Sequence, residues 1–130
     1  MQVLRGLLLI MACLSSSLLS AADTVGVWQG QLTMAGARGE QRKEVTLTLT
    51  VNGSRLIGTM TADGETAEIL DGAVKGDDIS FEIESGADDV PRFVFNGNVV
   101  GDALTLTVSG RLKATGQILT IGAGSFKRRK

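Results

Sequence analysis

Side chains able to move a proton or hold a metal are few in this chain, and they come as short acidic pairs: Asp63 with Glu65, Asp77 with Asp78, and Asp88 with Asp89. Two carboxylates flanking one bond are what glycoside hydrolysis requires, yet nothing in these spacings fixes a separation. Asp77 follows Gly76, and a Gly-Asp step is turn chemistry. Asp88 and Asp89 fall in a loop running from Gly86 to Pro91. Calcium asks for about six to eight oxygens, usually from a D-x-D-x-D-G ladder that this loop lacks, so solvated loop acids are the expectation. Histidine is absent, which removes the commonest general base and the commonest metal ligand. No catalytic residue, metal site or cofactor is expected from these residues.

Aromatic chemistry is equally sparse, with one Trp, four Phe and no Tyr. Neither a base-stacking platform nor the aromatic girdle of a membrane barrel can be assembled from that set. The 13 basic and 14 acidic residues nearly cancel, so the broad positive footprint of a nucleic-acid binder is missing. The dense basic run is Lys127-Arg128-Arg129-Lys130, which reads either as a contact for an acidic polymer, lipid or partner, or as a solvated chain end.

The elements that must position these groups begin after residue 22. Arg5 precedes the apolar stretch Leu7 to Leu14, and Ser20-Ala21-Ala22 supplies small residues for cleavage. Residues 1–22 are therefore expected to be a secretory signal cut before Asp23, because an anchor needs about 20 apolar residues and Ser15-Ser16-Ser17 interrupts the run. The alternative is a lipoprotein held through Cys13, the single cysteine, in Ile10-Met11-Ala12-Cys13. Loss of Cys13 with the signal leaves residues 23–130 as one exported domain, periplasmic or secreted, with no thiol and no disulfide.

From Val25 onward the apolar positions alternate with period two. Val45, Leu47, Leu49 and Val51 share one face, with Thr46, Thr48 and Thr50 on the other; Ile79, Phe81 and Ile83 oppose Ser80, Glu82 and Glu84; Leu104, Leu106 and Val108 oppose Thr105 and Thr107. Phe93 and Phe95 share the inward parity. A membrane barrel shows the reverse, an apolar exterior, so a water-soluble packed interior is expected and membrane spanning is not. Asn52-Gly53, Asp63-Gly64, Gly76-Asp77 and Gly101-Asp102 supply tight hairpins. Strands are predicted near 25–34, 43–51, 55–61, 66–75, 78–85, 92–100, 103–109 and 117–128, the last open to a break at Gly122 to Gly124.

An internal repeat aligns Asp71-Gly72-Ala73-Val74-Lys75-Gly76-Asp77 with Asn96-Gly97-Asn98-Val99-Val100-Gly101-Asp102 and carries on into Ile79-Ser80-Phe81 and Leu104-Thr105-Leu106. Gly72 and Gly97 take equivalent strand-interior places, where glycine marks a bend, a bulge or a close approach. Successive hairpins with bends predict an all-β, antiparallel up-and-down meander closed into a barrel of about eight strands; a β-sandwich is the alternative.

Gly26-Val27-Trp28 resembles the G-x-W element that opens lipocalin-like barrels, the superfamily of lipocalins and avidins. Leu56-Ile57-Gly58-Thr59 and the repeated G-D-x-[IL]-[ST]-[FL] hairpin are similar to those of small exported bacterial domains of that kind, over nearly all of Asp23 to Lys130. The resemblance implies a barrel with the tryptophan at its closed end and a late arginine packed across the ring. Arg128 is the candidate, since it shares parity with Phe126; Arg129 and Arg111 are the alternatives. Avidin-type biotin sites need several tryptophans, and lipocalins and the barrel inhibitors of proteases and lysozymes usually carry a disulfide, so this chain departs from each.

Function is therefore expected to be non-catalytic binding, of a small apolar molecule or an envelope component, through a barrel mouth or a small cavity. The candidate ligand-lining residues are Trp28, Leu32, Phe93 and Phe95, although a lone inward tryptophan beside Leu32 is more often a plug filling the barrel floor. The loop Ala35 to Arg42 is the longest near the strand ends, where recognition commonly resides. The alternative is a protein-interaction module, such as an inhibitor of an exported enzyme.

Overall fold

The computed structural model describes residues 24–36, 39–86 and 88–129. The expected signal segment, Cys13 and the cleavage point at Asp23 lie outside the described residues. Among the described residues nine strands follow one another: β1 (Gly26–Gly36), β2 (Gly39–Asn52), β3 (Arg55–Ala62), β4 (Glu65–Glu68), β5 (Leu70–Lys75), β6 (Asp78–Glu84), β7 (Arg92–Val100), β8 (Ala103–Arg111) and β9 (Ile118–Arg128).

All pairings are antiparallel, in the order β2-β1-β9-β8-β7-β6-β5-β3, and β2 pairs with β3 to close the ring. Strands β4 and β5 succeed one another between β3 and β6, so nine elements make an eight-stranded up-and-down barrel. A sandwich would need two stacked sheets with free edges; here one sheet closes on itself, which removes the sandwich alternative.

Turn chemistry fixes the register. Lys75 pairs with Asp78 around Gly76 (φ 62), and Val100 pairs with Ala103 around Gly101 (φ 59), so the two repeats form the same hairpin. At Asp63-Gly64 both turn residues have positive φ (52 and 78), the backbone of a type I′ turn. That register sends Trp28, Leu32, Leu47, Leu49, Phe81, Phe95, Leu104, Leu106, Val108 and Phe126 into one buried core. Thr48, Thr50, Thr105 and Thr107 stay exposed on the outside. No helix among the described residues is long and apolar enough to cross a membrane.

Two departures from strict alternation shift the register within a strand pair. The segment predicted as one strand over 66–75 breaks between β4 and β5, where Ile69 is buried and its N–H donates to the Gly58 carbonyl at 3.0 Å. Ile69 and Leu70 are consecutive apolar residues, and only one of two neighbours can point inward. The register shifts between Leu70 and Ala73, and Asp71 takes a positive φ of 50. In β9 the irregularity falls at Ile121, opposite Val108 and Ser109, and the strand runs unbroken through Gly122 to Gly124. The expected break there is a bulge one residue earlier.

Gly30 is required by the approach of β9. A Cβ at this inward position would stand 2.1 Å from the Ser125 carbonyl oxygen and 2.8 Å from the Phe126 Cα. With no side chain there, the bulky Phe126 ring occupies the core beside β1.

Candidate functional site

The two ends of the barrel differ because their connections differ. At one end lie Thr24, the start of β1, the end of β9 and the three tight turns at Gly53, Gly76 and Gly101. There Trp28 is fully buried, its Nε1 donating to the Thr24 carbonyl at 3.0 Å. Arg128, its register partner on β9, lays its guanidinium carbon 4.4 Å from the ring centroid. The Arg128 Nε donates to Asp102 Oδ1 at 3.0 Å, and Nη1 donates to the Val25 carbonyl. Gly26 accommodates this group: its φ of 145 disfavours a side chain, and a Cβ would meet Arg128 Nη1 at 3.0 Å. This end is plugged by side chains held to backbone.

The opposite end carries the β1–β2 and β3–β4 hairpins and the two longer loops. Over β8 and β9 it is covered. The Lys113 N–H donates to the Asp89 carbonyl at 3.0 Å, the Ser85 N–H donates to the Pro91 carbonyl at 3.1 Å, and a Cβ on Gly110 would meet Val90 Cγ1 at 3.0 Å. The remaining side, bounded by β1, β2, β3, β4, β6 and β7, opens into a cavity of about 260 Å³. Leu32, Met34, Val45, Met60, Phe93 and Phe95 form its apolar wall, and Lys43, Asp63, Glu65 and Glu84 its rim. Phe95 is held from behind by Phe81, the rings stacked at 4.8 Å between centroids and 7° between planes.

Three of the four expected ligand-lining residues, Leu32, Phe93 and Phe95, therefore meet in one cavity, and Trp28 does not join them. Trp28 points into the barrel further from the mouth than Leu32 on the same strand, fully buried and with the plug geometry. Phe93 is half-buried rather than wholly buried because it stands at the rim. Sequence reasoning missed Met34, Val45, Met60 and Ala67 as lining residues, all on inward parity toward the end that carries the β1–β2 and β3–β4 hairpins. A broader recess on the outer face, over Gly30, Gly97, Gly124, Asn96, Thr105 and Ser125, is more open to solvent than the mouth cavity.

The acidic pairs separate. Asp63 sits 3.3 Å from Lys43 Nζ, Asp78 Oδ1 accepts from Asn98 Nδ2 at 3.0 Å, and Asp77 belongs to a turn. Asp88 and Asp89 are exposed in their loop. Among the described residues no three of His, Cys, Asp and Glu come together as a metal-binding group. Glu82, expected on the open outer face, is 20% exposed and 3.8 Å from Arg92, which also binds Asp71 at 2.8 Å.

No protein-family model matches this sequence, and a search of curated proteins finds no relative. Among solved structures it is similar to the crystal structure of Rv2717c from M. tuberculosis, at a TM-score of 0.59 and 15% identity, over 88% of this chain and 98% of that one. At that identity the likeness concerns the fold alone, and the class it defines is the closed antiparallel β-barrel.

Proposed function

We propose that this chain is an exported, non-catalytic binding domain that takes a small apolar molecule into the barrel mouth. The observation carrying this reading is the cavity of about 260 Å³ walled by Leu32, Met34, Met60, Phe93 and Phe95. Ligand pockets commonly span roughly 300–1,000 Å³, and an apolar cavity of ~150 Å³ already takes up benzene. The mouth therefore suits a ligand whose apolar part is about one ring or a short chain. Export rests on the pattern of residues 1–22, and the absence of catalysis on the lack of histidine and the engagement of Asp63 by Lys43. The likeness of Gly26-Val27-Trp28 to the lipocalin-like G-x-W element supports the same reading, since those barrels bind at their open ends.

The test is a titration of the mature domain with phenethyl alcohol, a neutral single-ring probe, followed by amide and methyl NMR. Saturable shifts confined to Leu32, Met34, Met60, Ala67 and Phe93 support the reading. An absence of saturable shifts at the mouth overturns it.

A second reading, a protein-interaction module, is favoured by Ile118 and Leu119, which stand 50% and 44% exposed beside one another at the mouth end. Leu119→Glu should then abolish capture of an exported partner while leaving the cavity's own binding unchanged.

A further inference from the structure

We infer that the plugged end of the barrel docks on an anionic lipid bilayer, through a rim on which exposed valines stand beside exposed cations. This rim lies at the far end from the mouth, and its docking does not depend on what the mouth binds. Strand register assembles it from four neighbours. Val100 of β7 pairs with Ala103 of β8, and Ala103 pairs with Lys127 of β9. Beyond Lys127, the Arg129 N–H donates to the Val27 carbonyl of β1 at 2.7 Å, and the Val25 carbonyl accepts from Arg128 Nη1. Val100 is 70% exposed and Val25 40%. One exposed valine is ordinary, but two on a rim that also carries exposed Lys127 and Arg129 make an amphipathic surface. Lys127 and Arg129 form no ion pair among the described residues, and Asp102, the carboxylate beside them, is held by Arg128 at 3.0 Å. The Gly76 turn adds Lys75, Asp77 and Asp78, and the Gly53 turn adds Arg55, so this end has five cations against three carboxylates among the described residues.

A soluble acidic polymer would use the charges alone, whereas a bilayer uses both parts of this rim. Cations meet lipid phosphates while the valines enter the apolar boundary beneath the headgroups. The point where the chain enters the barrel favours the same occupant. Thr24 is fully buried at this end, so the expected leader, with its apolar stretch Leu7 to Leu14, joins the barrel here. On the export reading, a leader held in the membrane presents this end to the lipid before it is cut. Docked this way, the opening beside Leu32 and Phe93 faces away from the bilayer.

The experiment mixes the mature protein with vesicles of phosphatidylcholine alone, or of phosphatidylcholine with phosphatidylglycerol, and reads the bound fraction by sedimentation. Binding to the anionic vesicles is expected, weakening as salt is raised. The variant carrying Lys127→Gln and Arg129→Gln should partition about 10- to 30-fold less. Val25→Ser with Val100→Ser should lower partitioning about 3- to 10-fold at unchanged charge. Arg111→Gln with Lys113→Gln removes two cations at the mouth end instead, and should lower it by less than about 3-fold. All six side chains are exposed, and unchanged melting curves check that the variants fold. Failure to bind anionic vesicles overturns the inference, and so does an equal loss in the Arg111 and Lys113 variant, which would show attraction without a docking face. If the valine variant binds as the unaltered protein does, charge alone is at work and the bilayer assignment falls. The probe titration at the mouth is read separately, so either reading can fail while the other stands.

Discussion

Removing the Arg128 side chain tests how the barrel is closed. Its guanidinium lies 4.4 Å from the centroid of a fully buried tryptophan and is only 20% exposed. A partly desolvated cation–π contact contributes about 0.5–2 kcal/mol. The hydrogen bond to the Val25 carbonyl adds roughly 1 kcal/mol, and the ion pair with Asp102, itself 60% exposed, no more than about 0.5. These contacts share one side chain and do not simply add, so Arg128→Ala should cost about 2–3 kcal/mol. For a domain of this size that lowers the melting temperature by roughly 10–20 °C. Trp28 is the one tryptophan in the chain, so its emission reports directly on the contact. Arg129 is exposed, and its backbone N–H donates to the Val27 carbonyl, a bond that Arg129→Ala leaves in place. Arg129→Ala should therefore shift stability by less than about 0.5 kcal/mol. Thermal melts followed by Trp28 fluorescence and by circular dichroism compare the two; equal effects would refute the closure argument.

Further outcomes follow from the same geometry. Phe81→Ala removes a ring that is 1% exposed and stacked on Phe95, and should cost about 3–5 kcal/mol in a denaturant titration, whereas exposed Thr105→Ala should cost less than about 0.5. Gly30→Ala forces a Cβ to within 2.1 Å of the Ser125 carbonyl oxygen, so β1 and β9 must separate; a loss of about 3 kcal/mol or more is expected, and an unchanged melt would show the strands paired otherwise. Mass spectrometry of protein expressed with residues 1–22 should find the N-terminus within about two residues of Asp23, and a lipidated Cys13 would refute export by cleavage. Generic ester and glycan substrates should be left intact by the pure domain; turnover at enzyme-like rates would overturn the non-catalytic reading.

The barrel was legible because nearly every strand obeys one rule, apolar residues at every second position bounded by glycine turns. The interior of β2, Val45, Leu47 and Leu49, reads directly from the chain and lies buried as read. The two bulges were also written there, as parity switches: Ala67 and Ile69 give way to Gly72 and Val74, and Leu119 and Ile121 to Gly122 and Gly124. Counting strands by length alone hid the first and misplaced the second. The mouth was harder to see. Its wall joins β1, β2, β3, β4, β6 and β7, and no local pattern says which inward residues lie at the open end. That depends on which end each connection occupies: the turns at Gly53, Gly76 and Gly101 lie at the plugged end, and Asp63-Gly64 lies at the mouth beside the two longer loops. Met34, Val45 and Met60 could have been found by following each inward series toward the β1–β2 hairpin and the Asp63-Gly64 turn.

The most direct measurement is a structure of the mature domain soaked with phenethyl alcohol or held under xenon, with the position of bound density as readout. Density among Leu32, Met60, Phe93 and Phe95, with Trp28 still covered by Arg128, is the expected result. Density beside Trp28, or a mouth filled by its own side chains and empty of probe, would contradict the binding role of the barrel mouth.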